Sequence, residues 1–293
     1  MNRSSFALIV CGAAIVTAPI VLALHLLPSG RSGNIATTAS NTVVEAINLF
    51  KEEGFNPEVD LKAGELKIPR VFLASLPGDL RSIPSTGQRK VVFVTIVLAH
   101  VLWVNDQLRE HRARILRLRK ASLSGKVLRH RDRRWLERIA GKYHAKSMAF
   151  EDLLRRVDIV PPRLAVAQAV QESGWGTSRF ARTGNALFGQ HAPVGAGAIT
   201  AKGNARIGLK AFDTIQRSVL GYMQNLNSHR AYGQFRRTRA KMRHDGKPIN
   251  AMVLAGSLVR YSEEGELYVD RLRKIMLMPE VAAARTKTLA KND

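Results

Sequence analysis

PPRLAVAQAVQESGWGTSRFARTGNALFGQ, residues 161 to 190, is the stretch on which the reading of this chain turns. It opens on a proline pair, which suits a first helical turn because proline lacks an N–H that such a turn leaves unbonded anyway. An apolar run from Leu164 to Val170 follows and ends, two residues on, in a single glutamate, Glu172. Gly174 is the natural stop, since glycine enters the left-handed closing conformation without a Cβ clash. On a helical period Leu164, Ala165, Gln168 and Ala169 share the face of Glu172. From Ile159 to Phe212 this glutamate is the only acid, whereas Arg163, Arg179, Arg182, Lys202, Arg206 and Lys210 are all basic. Its place in the last turn sets it against the negative end of the helix dipole, and apolar burial acts in the same direction, raising its pKa. A carboxyl that keeps its proton near neutral pH is equipped to serve as a general acid, as on a leaving glycosidic oxygen. The residues alone leave a second reading open, in which Glu172 caps its helix or pairs with Arg179 or Arg182.

The rest of the chain bounds the chemistry. With 293 residues and 45% hydrophobic content it can bury a substantial core. A single cysteine, Cys11, excludes an internal disulfide framework and a cysteine-rich zinc site. The eight histidines are scattered, without a pair at the helical spacing of metal ligands, so neither a metal nor a cofactor is expected. Residues 6 to 27 form a nearly unbroken apolar stretch of 22, close to the roughly 20 that cross a bilayer as a helix. A cleaved signal has a shorter apolar core and a small-residue cleavage site. Ala23-Leu24-His25 fits that pattern poorly, so an uncleaved anchor over residues 1–29 is expected.

Beyond a Ser, Gly, Thr and Asn-rich linker, Thr42-Val-Val-Glu45 reads as a capping box opening a short helix. Residues 54 to 88, punctuated by proline and glycine, read as loops draped over something larger. Val91 to Val104 is an apolar run of 14, too short to span a membrane and therefore a core helix. Val101, Val104, Leu108, Ile115 and Leu118 extend its apolar spacing while the other positions turn basic. Between Arg109 and Lys146 there are 14 Lys or Arg against three acids, within a net charge of +23. No helix-turn-helix, zinc-finger or RNP pattern accompanies the belt, so specific nucleic-acid binding is not expected. An anionic wall or membrane surface accounts for the charge equally well.

The 161–190 segment resembles the signature of the glucosaminidase domains of glycoside hydrolase family 73. Further matching pieces are Ala211-Phe-Asp213, Ser218 to Tyr222, Leu226 to Tyr232 and Leu258 to Leu272. The resemblance implies a mainly α, lysozyme-like domain with a small β-hairpin lobe. It also implies cleavage of the β-1,4 bond after N-acetylglucosamine, with peptidoglycan glycan strands as substrate. Carried onto this chain, the catalytic acid falls on Glu172 and the cleft tyrosine on Tyr261, with Tyr268 as the second choice. Trp175, Asn185, Phe188 and Gly189 match the groove-shaping loop, and Tyr222 joins Tyr268 among the expected substrate contacts. For Trp175 and Phe188, core packing is the competing reading, since large aromatics dominate cores.

One departure from the family pattern matters. The segment His191 to Arg206, where many members place a second carboxylate, contains no acid. An inverting enzyme needs a base about 6.5 to 9.5 Å from the acid, a retaining one a nucleophile at about 5 to 5.5 Å. Asp213, Glu263, Glu264 and Glu266 are the candidates outside the lobe, and the substrate's own N-acetyl group is the alternative nucleophile. Lytic transglycosylase chemistry and a catalytically silent wall binder stay open beside hydrolysis. The expected organisation is an anchor at 1–29, a linker and helical basic accessory region at 30–145, a catalytic domain at 146–280 and a basic tail at 281–293. It would be held at the inner membrane, facing the periplasm, or be periplasmic if the signal is cleaved.

Overall fold

The computed structural model describes residues 37–64, 66–146, 149–192, 198–201 and 204–291. The expected anchor over residues 1–29 lies outside the described residues. Twelve α-helices and a three-stranded sheet make up the described chain, which is mainly helical. The capping box expected at Thr42 is formed: its hydroxyl accepts from the Glu45 amide at 3.2 Å, and the Glu45 carboxylate accepts from the Thr42 amide at 3.2 Å. It starts α1 (Val43–Glu52), which buries Val43, Ala46, Ile47 and Phe50. A one-turn α2 (Pro57–Asp60) follows, and the segment up to residue 85 is otherwise irregular.

The longest element is α3 (Thr86–Leu123), 38 residues begun by the hydroxyl of Ser85, which accepts from the Gln88 amide at 3.2 Å. Length and composition alone would let it cross a membrane, but its apolar half is buried inside the molecule. All residues from Val91 to Asn105 are buried, as are Leu108 and Ile115. Two polar groups in this stretch have specific partners. His100 faces the Leu73 carbonyl at 3.1 Å, and burial pushes its pKa down to about 3, so it is neutral. Asn105 clamps the backbone of Val160, donating to its carbonyl at 2.8 Å and accepting from its amide at 3.0 Å. That clamp fixes the entry of α6 against α3.

After α4 (His130–Tyr143) and α5 (Phe150–Arg156) comes α6 (Pro162–Ser173), the helix quoted above. Leu164 to Val170 are buried all round, because α6 packs against α3 on one side and against later helices on the other. Next are α7 (Arg179–Gly184), β1 (His191–Ala192), β2 (Ala198–Ala201) and β3 (Asn204–Lys210). The strands form a small antiparallel sheet in the order β1-β3-β2, with His191 opposite Leu209 and Ile199 opposite the same residue from the other side. The chain closes with α8 (Ile215–Ser228), α9 (Gly233–His244), α10 (Ala251–Ala255), α11 (Glu266–Leu277) and α12 (Pro279–Ala282).

One apolar core runs through all of this, from Val43 in α1 to Leu289 near the end. It is continuous across residue 146, where a boundary between accessory and catalytic parts is expected, because α3 itself packs on α6 and α8. The expected basic tail is likewise drawn in. Ile68 donates to the Thr288 carbonyl at 2.8 Å and accepts from the Ala290 amide at 2.8 Å. Lys287 is buried and its ammonium donates to the carbonyls of Asp60, Ala63 and Gly64, at 2.9, 2.5 and 2.9 Å. Carbonyl oxygens replace the water that a buried ammonium loses.

A second buried polar knot holds the helices behind α6. The Asp158 carboxylate, 2% exposed, accepts from Arg243 at 2.8 and 3.0 Å and lies 3.5 Å from Arg112 and 3.9 Å from Arg239. Burial alone would raise its pKa, but the Arg243 hydrogen bonds and three guanidinium charges hold it below the usual carboxylate value. Fully buried Arg239 also donates to the carbonyls of Arg155, Arg156, Asp158 and Ile159. Two of them, Arg155 and Arg156, are carbonyls of the last turn of α5, which the guanidinium of α9 reaches.

Candidate active site

The end of α6 is built by local chemistry. Gly174 closes it in the left-handed conformation at φ 58°. Ser173 donates to the Ala169 carbonyl at 2.6 Å and accepts from the Gly176 amide at 2.9 Å, so its hydroxyl clamps the corner. Trp175 continues at φ 59°, an uncommon conformation for a residue with a side chain. Gly176 is obligatory for space: a Cβ there would stand 2.7 Å from Leu76 and 2.8 Å from Phe93. In the ESGWG motif, therefore, the serine and both glycines shape a tight corner, and the glutamate is free to point elsewhere.

Glu172 points at Gly189. A Cβ on Gly189, itself at φ 60°, would lie 2.6 Å from the Glu172 carboxyl oxygen Oε2. The loop reaches this close because Asn185, buried at the end of α7, donates to Ser75 Oγ and to the carbonyls of Phe212 and Asp213 at 3.3, 3.1 and 3.3 Å. Phe188, 1% exposed, stacks flat on Tyr222 with ring centroids 4.0 Å apart. The second glycine-bearing motif thus delivers bare backbone against the carboxyl.

Tyrosines close the other sides. A directional chain of hydrogen bonds runs from α8 through α6 to α11. The Tyr222 hydroxyl donates to Gln168 Oε1 at 2.6 Å, and Gln168 Nε2 donates to the Tyr268 oxygen at 3.0 Å. Tyr268 in turn donates to the Glu172 carboxylate. Tyr261 stacks on Tyr268 at 5.5 Å, nearly parallel, and donates to the Phe188 carbonyl at 2.8 Å. Tyr232 completes the ring, 5.8 Å from Tyr261. Four of the chain's five tyrosines therefore surround one glutamate.

Burial pushes the Glu172 pKa from 4.5 up to about 7, while the Tyr268 hydrogen bond and the charge of Arg271 pull it partly back. Burial also raises the pKa of Tyr222, Tyr261 and Tyr268 well above 10 and that of Tyr232 to about 12. All four stay neutral donors at any physiological pH. Arg271, one helical turn beyond Tyr268 on α11, pairs with Glu264 and so ties the 262–265 loop to the site. Glu263, exposed on the same loop, exerts its charge on His191 of β1. Asp213 and Glu266 are exposed at the starts of α8 and α11, without an ion-pair partner among the described residues. Also among the described residues, no group of three or more His, Cys, Asp or Glu stands together as a metal site would need.

The residues expected at the site thus fall into three groups. Glu172, Gly189 and Tyr261 meet around one point, and Tyr261 is partly exposed. Asn185, Phe188, Tyr222 and Tyr268, expected as substrate contacts, are buried around that point. Trp175 turns away to α3, edge-on to Phe93 at 6.3 Å with the Lys90 ammonium 5.1 Å above its ring. Gln168, Tyr232 and Arg271 were not singled out as site residues by the sequence. The placement of Gln168 on the Glu172 face was the one signal available for it.

Fold and site together define a mainly helical chain with one proton-holding carboxyl enclosed by tyrosines and a glycine backbone. Residues 147–278 match the Glucosaminidase family, described as mannosyl-glycoprotein endo-beta-N-acetylglucosaminidase. The chain is 33% identical over 205 residues to protein Bax of Escherichia coli strain K12, a match covering 68% of this chain and 72% of that protein. It belongs to this glucosaminidase family, on the Bax side of it. Among solved structures, the catalytic domain of the autolysin Auto from Listeria monocytogenes aligns at 12% identity with a TM-score of 0.34, over 57% of this chain and 96% of that one.

Proposed function

We propose that this chain is a peptidoglycan hydrolase with a lysozyme-like catalytic domain, cleaving the β-1,4 bond after N-acetylglucosamine with Glu172 as general acid. The observation that carries the reading is the environment of Glu172, whose carboxyl meets the Gly189 backbone and the Tyr268 hydroxyl and has its pKa pushed to about 7. A group poised near the working pH combines a populated protonated form with a useful tendency to give the proton away.

In the proposed reaction Glu172 hands its proton to the glycosidic oxygen as the C1–O bond breaks, and the departing sugar leaves as an alcohol. The electron deficiency at C1 is met by the carbonyl oxygen of the neighbouring acetamido group or by a carboxylate from the 262–265 loop. Water then attacks C1, the temporary bond returns its electron pair, and the Glu172 carboxylate takes up the water proton. One carboxyl acts in both half-reactions, first as acid and then as base. Tyr261, partly exposed beside it and donating its hydroxyl hydrogen to the Phe188 carbonyl, is the proposed acceptor for the N–H of the acetamido group. An N-terminal anchor would keep the domain at the inner membrane on its periplasmic face, and the surplus positive charge favours approach to a wall rich in carboxylates.

The test is digestion of purified sacculi, with products read by mass spectrometry. Wild type should release fragments ending in reducing N-acetylglucosamine, and Glu172→Gln should release none. Anhydro-N-acetylmuramic ends would show transglycosylase chemistry instead, and no release by wild type would support a silent binder.

A further inference from the structure

The turn between α3 and α4 carries an unusual combination of side chains. Leu123 and Val127 at its tip are 74% and 84% exposed, the two most exposed large apolar residues among those described. Charge surrounds them, with Lys120, Lys126, Arg129 and Arg131 all exposed on the same short stretch. Beside the tip, an open cavity of about 420 Å³ is lined by Arg114, Arg117, Leu118, Arg129, Arg131 and Asp132.

The cavity's own acid does not offset this charge. Asp132 is buried and already accepts from Arg114 at 2.9 Å and from Arg129 at 3.2 Å. Arg114 is further fixed by stacking on Trp135, its guanidinium carbon 4.2 Å from the ring centroid. Arg117 and Arg131 have no ion-pair partner among the described residues and face the cavity free. The first turn of α4, which begins here, has no side-chain cap on its amides. Two free guanidiniums over a braced pair form a receptor for a phosphate-type anion.

We propose that the α3–α4 tip docks on an anionic phospholipid bilayer, with Leu123 and Val127 entering the interface and a lipid phosphate seated among Arg114, Arg117 and Arg131. The exposed apolar pair decides between the anionic partners. A duplex or a wall polymer offers phosphates or carboxylates but no apolar phase for a leucine and a valine, whereas a bilayer surface offers both. Neither residue packs on the core, so their exposure serves no internal contact.

The full chain, carrying Cys11→Ser and Val127→Cys labelled with an environment-sensitive fluorophore, is reconstituted into vesicles of neutral lipid with or without 30% phosphatidylglycerol. A second label goes at Val59, on α2 and roughly 50 Å away along α3. With anionic lipid the probe at 127 should shift to the blue and be quenched by lipids brominated in their tails, while the probe at 59 stays aqueous. Arg117→Gln with Arg131→Gln should lower the docked-to-free ratio roughly thirtyfold, about fivefold per charge near an anionic surface. Both positions are exposed and unpaired, so the fold is not at stake. An unresponsive probe at 127, an equal response at 59, or a response to added duplex DNA or sacculi in place of lipid would each overturn the proposal.

Discussion

Replacing Glu172 by Gln tests the central electrostatic claim without reference to any substrate. The carboxyl's pKa is 4.5 in an unfolded chain and about 7 in the fold. A raised acid binds its proton more tightly when folded, so the native state has full stability below about pH 4.5 and loses it as pH climbs to about 7. At about 1.4 kcal/mol per unit the loss is roughly 3 kcal/mol. The side chain keeps some contact with solvent, which reduces the expectation to about 2 kcal/mol. Glutamine keeps the shape and the oxygen that Tyr268 can donate to, but it never becomes charged. The variant should therefore equal wild type near pH 4.5 and be more stable by about 2 kcal/mol at pH 8, a rise of about 3 °C in Tm for a chain of this size. Thermal unfolding of the full chain in mild detergent, followed by circular dichroism from pH 4.5 to 8, measures it. A difference that is flat with pH, or one complete by pH 5.5, would refute the argument that burial holds this proton.

Other expectations follow from neighbouring contacts. Gly189→Ala would push a methyl into the Glu172 carboxyl and strain a left-handed residue, so sacculus turnover should fall at least a hundredfold at a stability cost of about 1 to 2 kcal/mol. Tyr268→Phe removes the hydrogen bond that lowers the Glu172 pKa, so the high-pH limb of kcat/KM should move upward, and an unmoved limb would remove Tyr268 from the acid's control. Asp158→Asn leaves three arginines around an uncharged amide, and denaturant unfolding should register a loss of about 3 to 5 kcal/mol.

Much of the site's frame could be read from local sequence. The proline entry, the apolar run and Gly174 define α6 within one segment, and the Thr42 capping box and the apolar half of α3 are equally local. The tyrosine ring was only partly readable. Tyr232, Tyr261 and Tyr268 meet Glu172 through the packing of helices 60 to 96 residues further along, and no short-range pattern encodes that convergence. The pairing of Arg271 with Glu264 was hidden for the same reason, and in a chain with 46 basic residues one more arginine carries no signal. For Trp175 the sequence left groove and core packing both open. Its motif suggested a groove, whereas its ring is taken by Phe93, a contact that depends on α3 belonging to the same core. The docking of Lys287 into three carbonyls could not be read from composition, because a lysine in a basic terminal stretch is ordinarily solvated.

The length of α3 has a geometric consequence. Phe93, near its start, touches the corner that carries Glu172, and Leu123 ends it at the exposed turn. Thirty helical residues separate them, roughly 45 Å of stiff rod. With that turn resting on a surface, the helix acts as a ruler, and the carboxyl works at a standoff that tilt can shorten but not extend. On the proposed docking and activity, glycan above that height would escape cleavage. Seven residues inserted into the basic half of α3 would raise the ceiling by roughly 10 Å and keep the chemistry unchanged, so on the proposed docking the length of one helix would set the depth of wall within reach.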